Sequence, residues 1–86
     1  MNDTPFIPIG FGNAVSKARL IAVIGSEGAP VRRLIQDARE RGTLIDATSG
    51  KKTRSVLIMD SDHIVLSTIE PDALTSEINN EVLADG

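Results

Sequence analysis

The strongest constraint on the fold is a single stretch of helical periodicity, residues 27–41, set between short runs of β-branched and aliphatic residues. Apolar side chains recur in it at intervals of three and four residues, which places them on one face of a helix. They are Val31, Leu34, Ile35 and Ala38. Ser26 is a candidate N-cap and Gly42 a natural C-terminal stop. The pattern predicts one amphipathic helix whose apolar face packs on a sheet.

Five short runs rich in Val, Ile, Leu and Thr surround this helix and predict strands. They cover residues 6–9, 19–24, 44–48, 54–59 and 63–69. The last three runs are separated by short turns at residues 49–52 and 60–62. We therefore expect an antiparallel meander in which residues 49–52 form a hairpin tip. Pro5 and Pro8 flank and interrupt the first run, which is typical of an edge strand.

A second helix is predicted to start at Pro71, with apolar residues at every fourth position: Leu74, Ile78 and Val82. Residues 1–86 then form one α+β domain. It combines a small antiparallel sheet, one main amphipathic helix and a C-terminal helix within residues 71–86 that ends in a frayed acidic tail.

The core of this domain has to be aliphatic, because Phe6 and Phe11 are the only aromatic residues and the chain has no cysteine. Small domains with thin cores are often stabilised by disulfides, a metal or self-association. The composition excludes disulfides, and one His without Cys provides no usual zinc-ligand set. We therefore expect self-association. No signal peptide or membrane-length apolar run is recognisable, so a cytoplasmic protein is expected.

Motifs for enzyme chemistry are weak. Gly10 and Gly12 begin a nucleotide-loop pattern, but Val15 stands at the third glycine position and no βαβ unit follows. His63 lies beside two aspartates, where a metal or acid–base role is conceivable. Asp-Ser-Asp is also ordinary turn chemistry, and that interpretation is favoured. We expect no catalytic residue, no metal site, no cofactor and no enzymatic activity.

The distribution of charge is informative. Residues 1–58 contain all nine Lys and Arg against five acids, whereas residues 59–86 contain seven acids and no Lys or Arg. Such asymmetry indicates two surfaces with different roles. The candidate DNA-contacting residues are Lys17, Arg19, Lys51, Lys52 and Arg54. On a hairpin tip and a strand start, such side chains can neutralise phosphates. An ordinary solvated turn and a module that binds an acidic protein remain alternatives.

The sequence also resembles the RemA family of bacterial extracellular-matrix regulators. The similarity follows chain order from Phe6 to about Ser67 and fades beyond Pro71. The matching segments are FIPIGFGN (6–13), RLI (19–21), APVRRLIQDARERG (29–42), LIDAT (44–48), GKKTR (50–54) and IMDSDH (58–63).

This resemblance implies a DNA-binding activator of biofilm-matrix genes that binds double-stranded DNA upstream of promoters, in association with the nucleoid. It also implies a LytTR-like fold and a closed homo-oligomeric ring of about seven or eight subunits. The DNA-contacting positions of the family fall on Arg19, Lys51 and Lys52, with Arg54 a further candidate. Lys51 and Lys52 stand where an Arg pair is common, and Lys lacks the planar guanidinium fork. We assign Arg32 and Arg39, on one flank of the helix, to a subunit interface.

Overall fold

The computed structural model describes residues 5–76 of the chain. This part of the chain contains six strands, a main helix and a short helical segment at residues 71–76. Their bounds are Phe6–Gly10 (β1), Asn13–Ser16 (β2), Leu20–Gly25 (β3), Ala29–Arg41 (α1), Leu44–Asp46 (β4), Ser55–Met59 (β5), Ile64–Ser67 (β6) and residues 71–76 (α2). The expected α+β class is confirmed. Within residues 5–76, no helix has the length and apolar character needed to cross a membrane.

The main sheet has four strands in the order β3-β5-β6-β4. β3 pairs antiparallel with β5 and β5 antiparallel with β6, whereas β4 pairs parallel with β6. The expected meander is therefore wrong at its first step, because β4 and β5 are not neighbours and residues 49–52 are not a hairpin tip. The turn at residues 60–62 does join the neighbouring strands β5 and β6, as predicted.

The core lies on both faces of this sheet, because successive side chains of a strand point to opposite faces. On one face, α1 packs against Val56, Ile64 and Leu66. Ala38 of α1 is buried there, and Val31, Leu34 and Ile35 are half-buried. On the other face, Leu57 and Val65 pack against the strands β1 and β2 and against α2. The result is three layers, with the sheet in the middle.

The α1 helix ends as predicted but begins later. Gly42 takes a left-handed φ of 77° and closes the C-terminus. At the N-terminus, Gly28 is the cap residue and makes no side-chain hydrogen bond. The prediction that Ser26 caps the helix is wrong, because its Oγ donates instead to the Thr53 carbonyl at 2.8 Å. Ser26 thereby ties the approach to α1 to the segment that precedes β5.

An additional two-stranded sheet was not predicted. The first strand pairs antiparallel with β2 across a turn at Phe11 and Gly12. Both turn residues have positive φ, 54° and 77°, which suits glycine better than phenylalanine. Of the predicted C-terminal helix, Leu74 is buried as expected, and Ile78 and Val82 lie outside the described residues.

Candidate nucleic-acid interface

The connection between β4 and β5, residues 47–54, carries three of the five predicted DNA-contacting residues and is called the basic loop below. Because β6 lies between β4 and β5 in the sheet, this loop has to cross the end of β6. Lys51, Lys52 and Arg54 are all exposed on it. The structure therefore brings these three residues together, on a crossing loop and not on a hairpin tip.

Backbone hydrogen bonds fix the basic loop to β6 at both ends. The Ala47 N–H donates to the Leu66 carbonyl at 3.1 Å, and the Arg54 N–H donates to the Ser67 carbonyl at 2.8 Å. A loop held in this way loses little conformational freedom when it binds a partner. Its exposed cations therefore start from fixed backbone positions.

The first half of the basic loop is a tight turn built on Asp46. The Thr48 hydroxyl and backbone N–H both donate to Asp46 Oδ1, at 2.6 and 2.9 Å. These two bonds lower the pKa of the Asp46 carboxyl, with a smaller contribution from the positive charge of Arg39. The Lys51 N–H then donates to the Thr48 carbonyl at 3.0 Å. Gly50 adopts a φ of 82° in this turn, a conformation that glycine allows at no steric cost.

An open cleft of about 270 Å³ lies between the basic loop and the segment leading into α1. Lys52 and Arg54 line it from the loop, and Glu27 and Glu70 line it from the adjoining segments. Arg54 Nη1 donates to Glu70 Oε2 at 3.0 Å. The cleft thus combines two cations and two carboxylates, and one cation–carboxylate pair is already in contact.

Arg19 lies at the other end of the β3–β5 pair. Gly25, at the end of β3, pairs with Ser55 beside the basic loop, whereas Arg19 precedes β3 at the far end. Its carbonyl accepts the Asp60 N–H at 2.8 Å, and its Nη1 lies 3.5 Å from Asp60 Oδ2. Asp60 lies six residues after Arg54 in the chain, so at about 3.3 Å per residue Arg19 and Arg54 are roughly 20 Å apart along the strand direction.

The candidate residues Arg19, Lys51, Lys52 and Arg54 do not form one continuous surface. The strand register separates Arg19 from the other three within one chain. Lys17 lies with Arg19 in the 3₁₀ turn Lys17–Arg19 that leads into β3. The five candidate residues therefore divide into the basic loop and a second pair at the opposite end of the sheet.

The arginines assigned to a subunit interface, Arg32 and Arg39, are exposed on α1. Arg39 Nη1 donates to Gln36 Oε1 at a long 3.5 Å, and Gln36 in turn donates to Glu40. These contacts are local to the helix surface. The interface role of Arg32 and Arg39 therefore stays a prediction.

Among residues 5–76, no strand pairs with the outer edge of β3 or of β4, so both edges of the main sheet are open in the described part of the chain. Two of the large apolar residues exposed in the described part of the chain lie on these edges: Ile21 on β3 is 65% exposed and Ile45 on β4 is 47% exposed. Beside β3 an open groove of about 320 Å³ is lined largely by apolar side chains of that strand, with Lys17 and Thr75. Edge strands with exposed apolar residues and open backbone groups favour pairing with another strand.

The predicted metal or acid–base alternative at His63 gains no support from the geometry. Ser61 Oγ lies 2.8 Å from His63 Nδ1, within the turn that joins β5 to β6. Among residues 5–76, no three or more His, Cys, Asp or Glu side chains are grouped so that they could hold a metal ion. The turn places Asp62 in a left-handed conformation with a φ of 70°, which Asp tolerates better than most residues.

Comparison with known proteins identifies the family. A family model described as RemA-like, extracellular matrix regulatory protein A-like, matches residues 6–78. The chain belongs to the RemA-like family. The match includes both groups of basic residues, every strand and α1, so the resemblance predicted from the sequence is confirmed.

Relatives of this RemA-like chain extend over most of its length. A protein from Acetivibrio thermocellus is 52% identical over 79 residues, which are 92% of this chain and 85% of the relative. A protein from Bacillus pumilus is 49% identical over 82 residues, 93% of this chain and 92% of the relative. Both relatives carry the name "Putative regulatory protein". The comparisons therefore establish that the chain belongs to a family of regulatory proteins.

Proposed function

We propose that this RemA-like protein is a DNA-binding transcription regulator that acts as a ring-shaped homo-oligomer and activates extracellular-matrix genes. The observation that carries the proposal is the basic loop, which presents Lys51, Lys52 and Arg54 from a backbone fixed to β6 at both ends. Family membership supports a regulatory role. The proposal joins that role to a surface with the chemistry that duplex phosphates require.

The basic loop fits phosphate contacts better than it fits base reading. Lys51 and Lys52 provide compact charges without a fork, so they neutralise phosphates without fixing their orientation. Arg54 is the one residue of the loop that can grip a phosphate bidentately. Arg19, roughly 20 Å away along the strand direction, contacts a different phosphate of the same duplex. Specificity then depends more on DNA shape than on the base edges.

Assembly is part of the proposal because one subunit has few phosphate contacts and the chain carries a net charge of −3. Repeated copies of the basic loop on one oligomer bind a duplex with high effective concentration. The strand directions favour a ring: β3 and β4, the two open edges, run in the same direction. Pairing of β4 in one subunit with β3 in the next is head-to-tail, and such contacts form a ring when the rotation between successive subunits closes.

The assembly is tested by ultracentrifugation of two matched variants. Ile21 on the open edge and Phe6 on the outer side of β1 are both 65% exposed. Ile21→Glu places a charge in the proposed contact between β3 of one subunit and β4 of the next. It is expected to shift the protein toward its 9.2 kDa monomer. Phe6→Glu makes the same kind of change on β1, which is not part of the four-stranded sheet, and is expected to leave the oligomer intact. A monomeric wild-type protein at micromolar concentration would refute the assembly.

The DNA contact is tested by mobility-shift titrations on promoter and random duplexes at two salt concentrations. The Lys51→Ala/Lys52→Ala double variant is compared with Arg33→Ala, which removes an exposed charge from α1. Each phosphate that a variant no longer neutralises should reduce the salt slope by about 0.9, multiplied by the number of subunits on the DNA. If Arg33→Ala reduces affinity more than the double variant does while both stay assembled, α1 is the DNA-facing element and the proposed site is wrong.

The same titration separates the second function considered, a basic module that binds an acidic protein. Electrostatic DNA binding weakens steeply with salt on any duplex, because bound counterions are released from the phosphates. An assembled wild-type protein that binds neither duplex at low salt would exclude the DNA-binding function and leave the protein-interaction module.

A further inference from the structure

Both arginines of the proposed DNA surface are already in contact with a carboxylate of the same chain. Arg54 Nη1 lies 3.0 Å from Glu70 Oε2, with side chains 49% and 59% exposed. Arg19 Nη1 lies 3.5 Å from Asp60 Oδ2. Within the described part of the chain, no carboxylate pairs with Lys51 or Lys52. The guanidinium groups of the two arginines are thus paired with carboxylates, whereas the two lysines are not.

The Arg54–Glu70 pair is held by ordered backbone on both sides. Arg54 is fixed to β6 through its N–H, which donates to Ser67. Glu70 follows β6 immediately before α2, and its carbonyl accepts the Leu74 N–H at 3.1 Å. The backbone of both residues is therefore fixed, so the Arg54–Glu70 ion pair can re-form after it opens. Because both are about half exposed, the ion pair is weak and can open at little cost in free energy.

We propose that Glu70 is an intramolecular competitor of DNA phosphate for Arg54. A carboxylate and a phosphate present similar oxygen acceptors to a guanidinium, so both cannot occupy the same N–H groups. While Glu70 is in place, a single phosphate gains little by replacing it. A duplex that contacts several subunits at once displaces several such carboxylates together. This inference rests on the proposed DNA binding. It identifies Glu70 as the residue that limits how much Arg54 contributes to duplex affinity.

The consequence is a division of roles on the basic loop. Lys51 and Lys52 attract any polyanion, because no carboxylate of the described residues forms an ion pair with either of them. Arg54 contributes only when a phosphate is close enough, and positioned well enough, to replace Glu70. The carboxylate therefore suppresses weak, non-specific contacts more than it suppresses contacts made by a well-fitted duplex.

A structural role for Glu70 predicts the opposite effect. If Glu70 orients the Arg54 side chain toward DNA, its removal weakens binding. Asp72 provides the control for general electrostatics, because it is an exposed carboxylate two residues away and makes no ion pair within residues 5–76. Glu70→Gln and Asp72→Asn remove the same charge from the same region, and only the first removes the ion pair with Arg54.

The experiment measures duplex affinity and salt dependence for wild type, Glu70→Gln, Asp72→Asn, Arg54→Ala and the Arg54→Ala/Glu70→Gln double variant, with circular dichroism melting to show that each is folded. Glu70→Gln is expected to raise affinity by about 1.4- to fivefold per engaged subunit over Asp72→Asn, the range that a weak surface ion pair spans. In the Arg54→Ala background, Glu70→Gln is expected to gain no more than Asp72→Asn gains in wild type.

Three results would overturn the inference. Equal affinities for Glu70→Gln and Asp72→Asn would reduce Glu70 to a general charge, and weaker binding by Glu70→Gln would make it a positioning residue. A gain that persists without Arg54 would show that the competition is with another cation. In these three cases wild-type DNA binding stands. Failure of the assembled wild type to bind any duplex would remove the proposed function and this inference together.

Discussion

Leu57 lies at the centre of the fold and provides a direct test of the three-layer core. It is fully buried on β5, the strand flanked by β3 and β6, and it packs against residues of the β1–β2 layer such as Ile7 and Ile9. Leu57→Ala removes three carbons, about 2.4 kcal/mol of transfer free energy. The closed surroundings add a cavity cost, so we expect a total loss of about 3–5 kcal/mol.

Leu34 is the matched comparison, because it undergoes the same substitution at a half-buried position of α1. It lines an open cavity beside Asp37 and Arg41. Truncation there enlarges a space that water already enters, so the cavity cost is small. We expect Leu34→Ala to reduce the free energy of unfolding by about 2 kcal/mol.

The assay is urea unfolding followed by circular dichroism, at several protein concentrations because the proposed assembly would add to the apparent stability. A domain of this size has an unfolding free energy of about 4–13 kcal/mol, so Leu57→Ala is expected to remove a large share and Leu34→Ala a smaller one. A larger loss for Leu34→Ala at every concentration would refute the assigned core. A larger loss only at high concentration would show that α1 is covered in the oligomer.

Two further predictions concern buried polar groups and pH. Ser55 Oγ is buried without a hydrogen-bond partner among the described residues, so Ser55→Ala is expected to leave the melting temperature unchanged or to raise it. Ser67 Oγ, in contrast, donates to the Ile9 carbonyl at 2.8 Å. Ser67→Ala is therefore expected to reduce the free energy of unfolding by about 1–3 kcal/mol. The lowered pKa of Asp46 stabilises the fold above its usual value of 3.8, and this contribution disappears as the pH falls through the folded-state pKa. Asp46→Asn keeps the acceptor oxygen but removes the charge. In urea titrations the variant is expected to be less stable than wild type at neutral pH, and the difference should shrink below about pH 4. A difference that does not change with pH would contradict this.

The elements that were predicted correctly are those with strong local signals. The apolar spacing of α1 and the left-handed Gly42 are encoded within a few residues. The runs that form β3, β5 and β6 are dense in Val, Ile and Leu, so their existence did not depend on context. The second strand was missed because Asn13–Ser16 has low strand propensity apart from Val15. A turn with Gly10 and Gly12 followed by one buried apolar residue was the available signal.

Strand pairing could not be predicted from the same local signals. Residues 49–52 resemble a hairpin turn because two apolar runs flank them and Gly50 lies between. The partner of β4 is instead β6, which follows β5 in the chain. The bonds from Thr48 to Asp46 also direct the chain away from an extended path immediately after β4. The Arg54–Glu70 contact depends on this topology, so no motif could indicate it.

The unexpected topology changes how the proposed DNA-contacting residues of the basic loop are held. A hairpin tip would have projected Lys51 and Lys52 from the sheet on a segment held at its base. The crossing loop instead lies across the end of β6 and is bonded to it on both sides. Binding from such a loop costs less conformational entropy than binding from a mobile tip. The same crossing places Arg54 beside Ser67 and hence within reach of Glu70, three residues farther along the chain. The parallel pairing of β4 with β6 is therefore the structural cause of both the fixed cations and the carboxylate that competes for one of them.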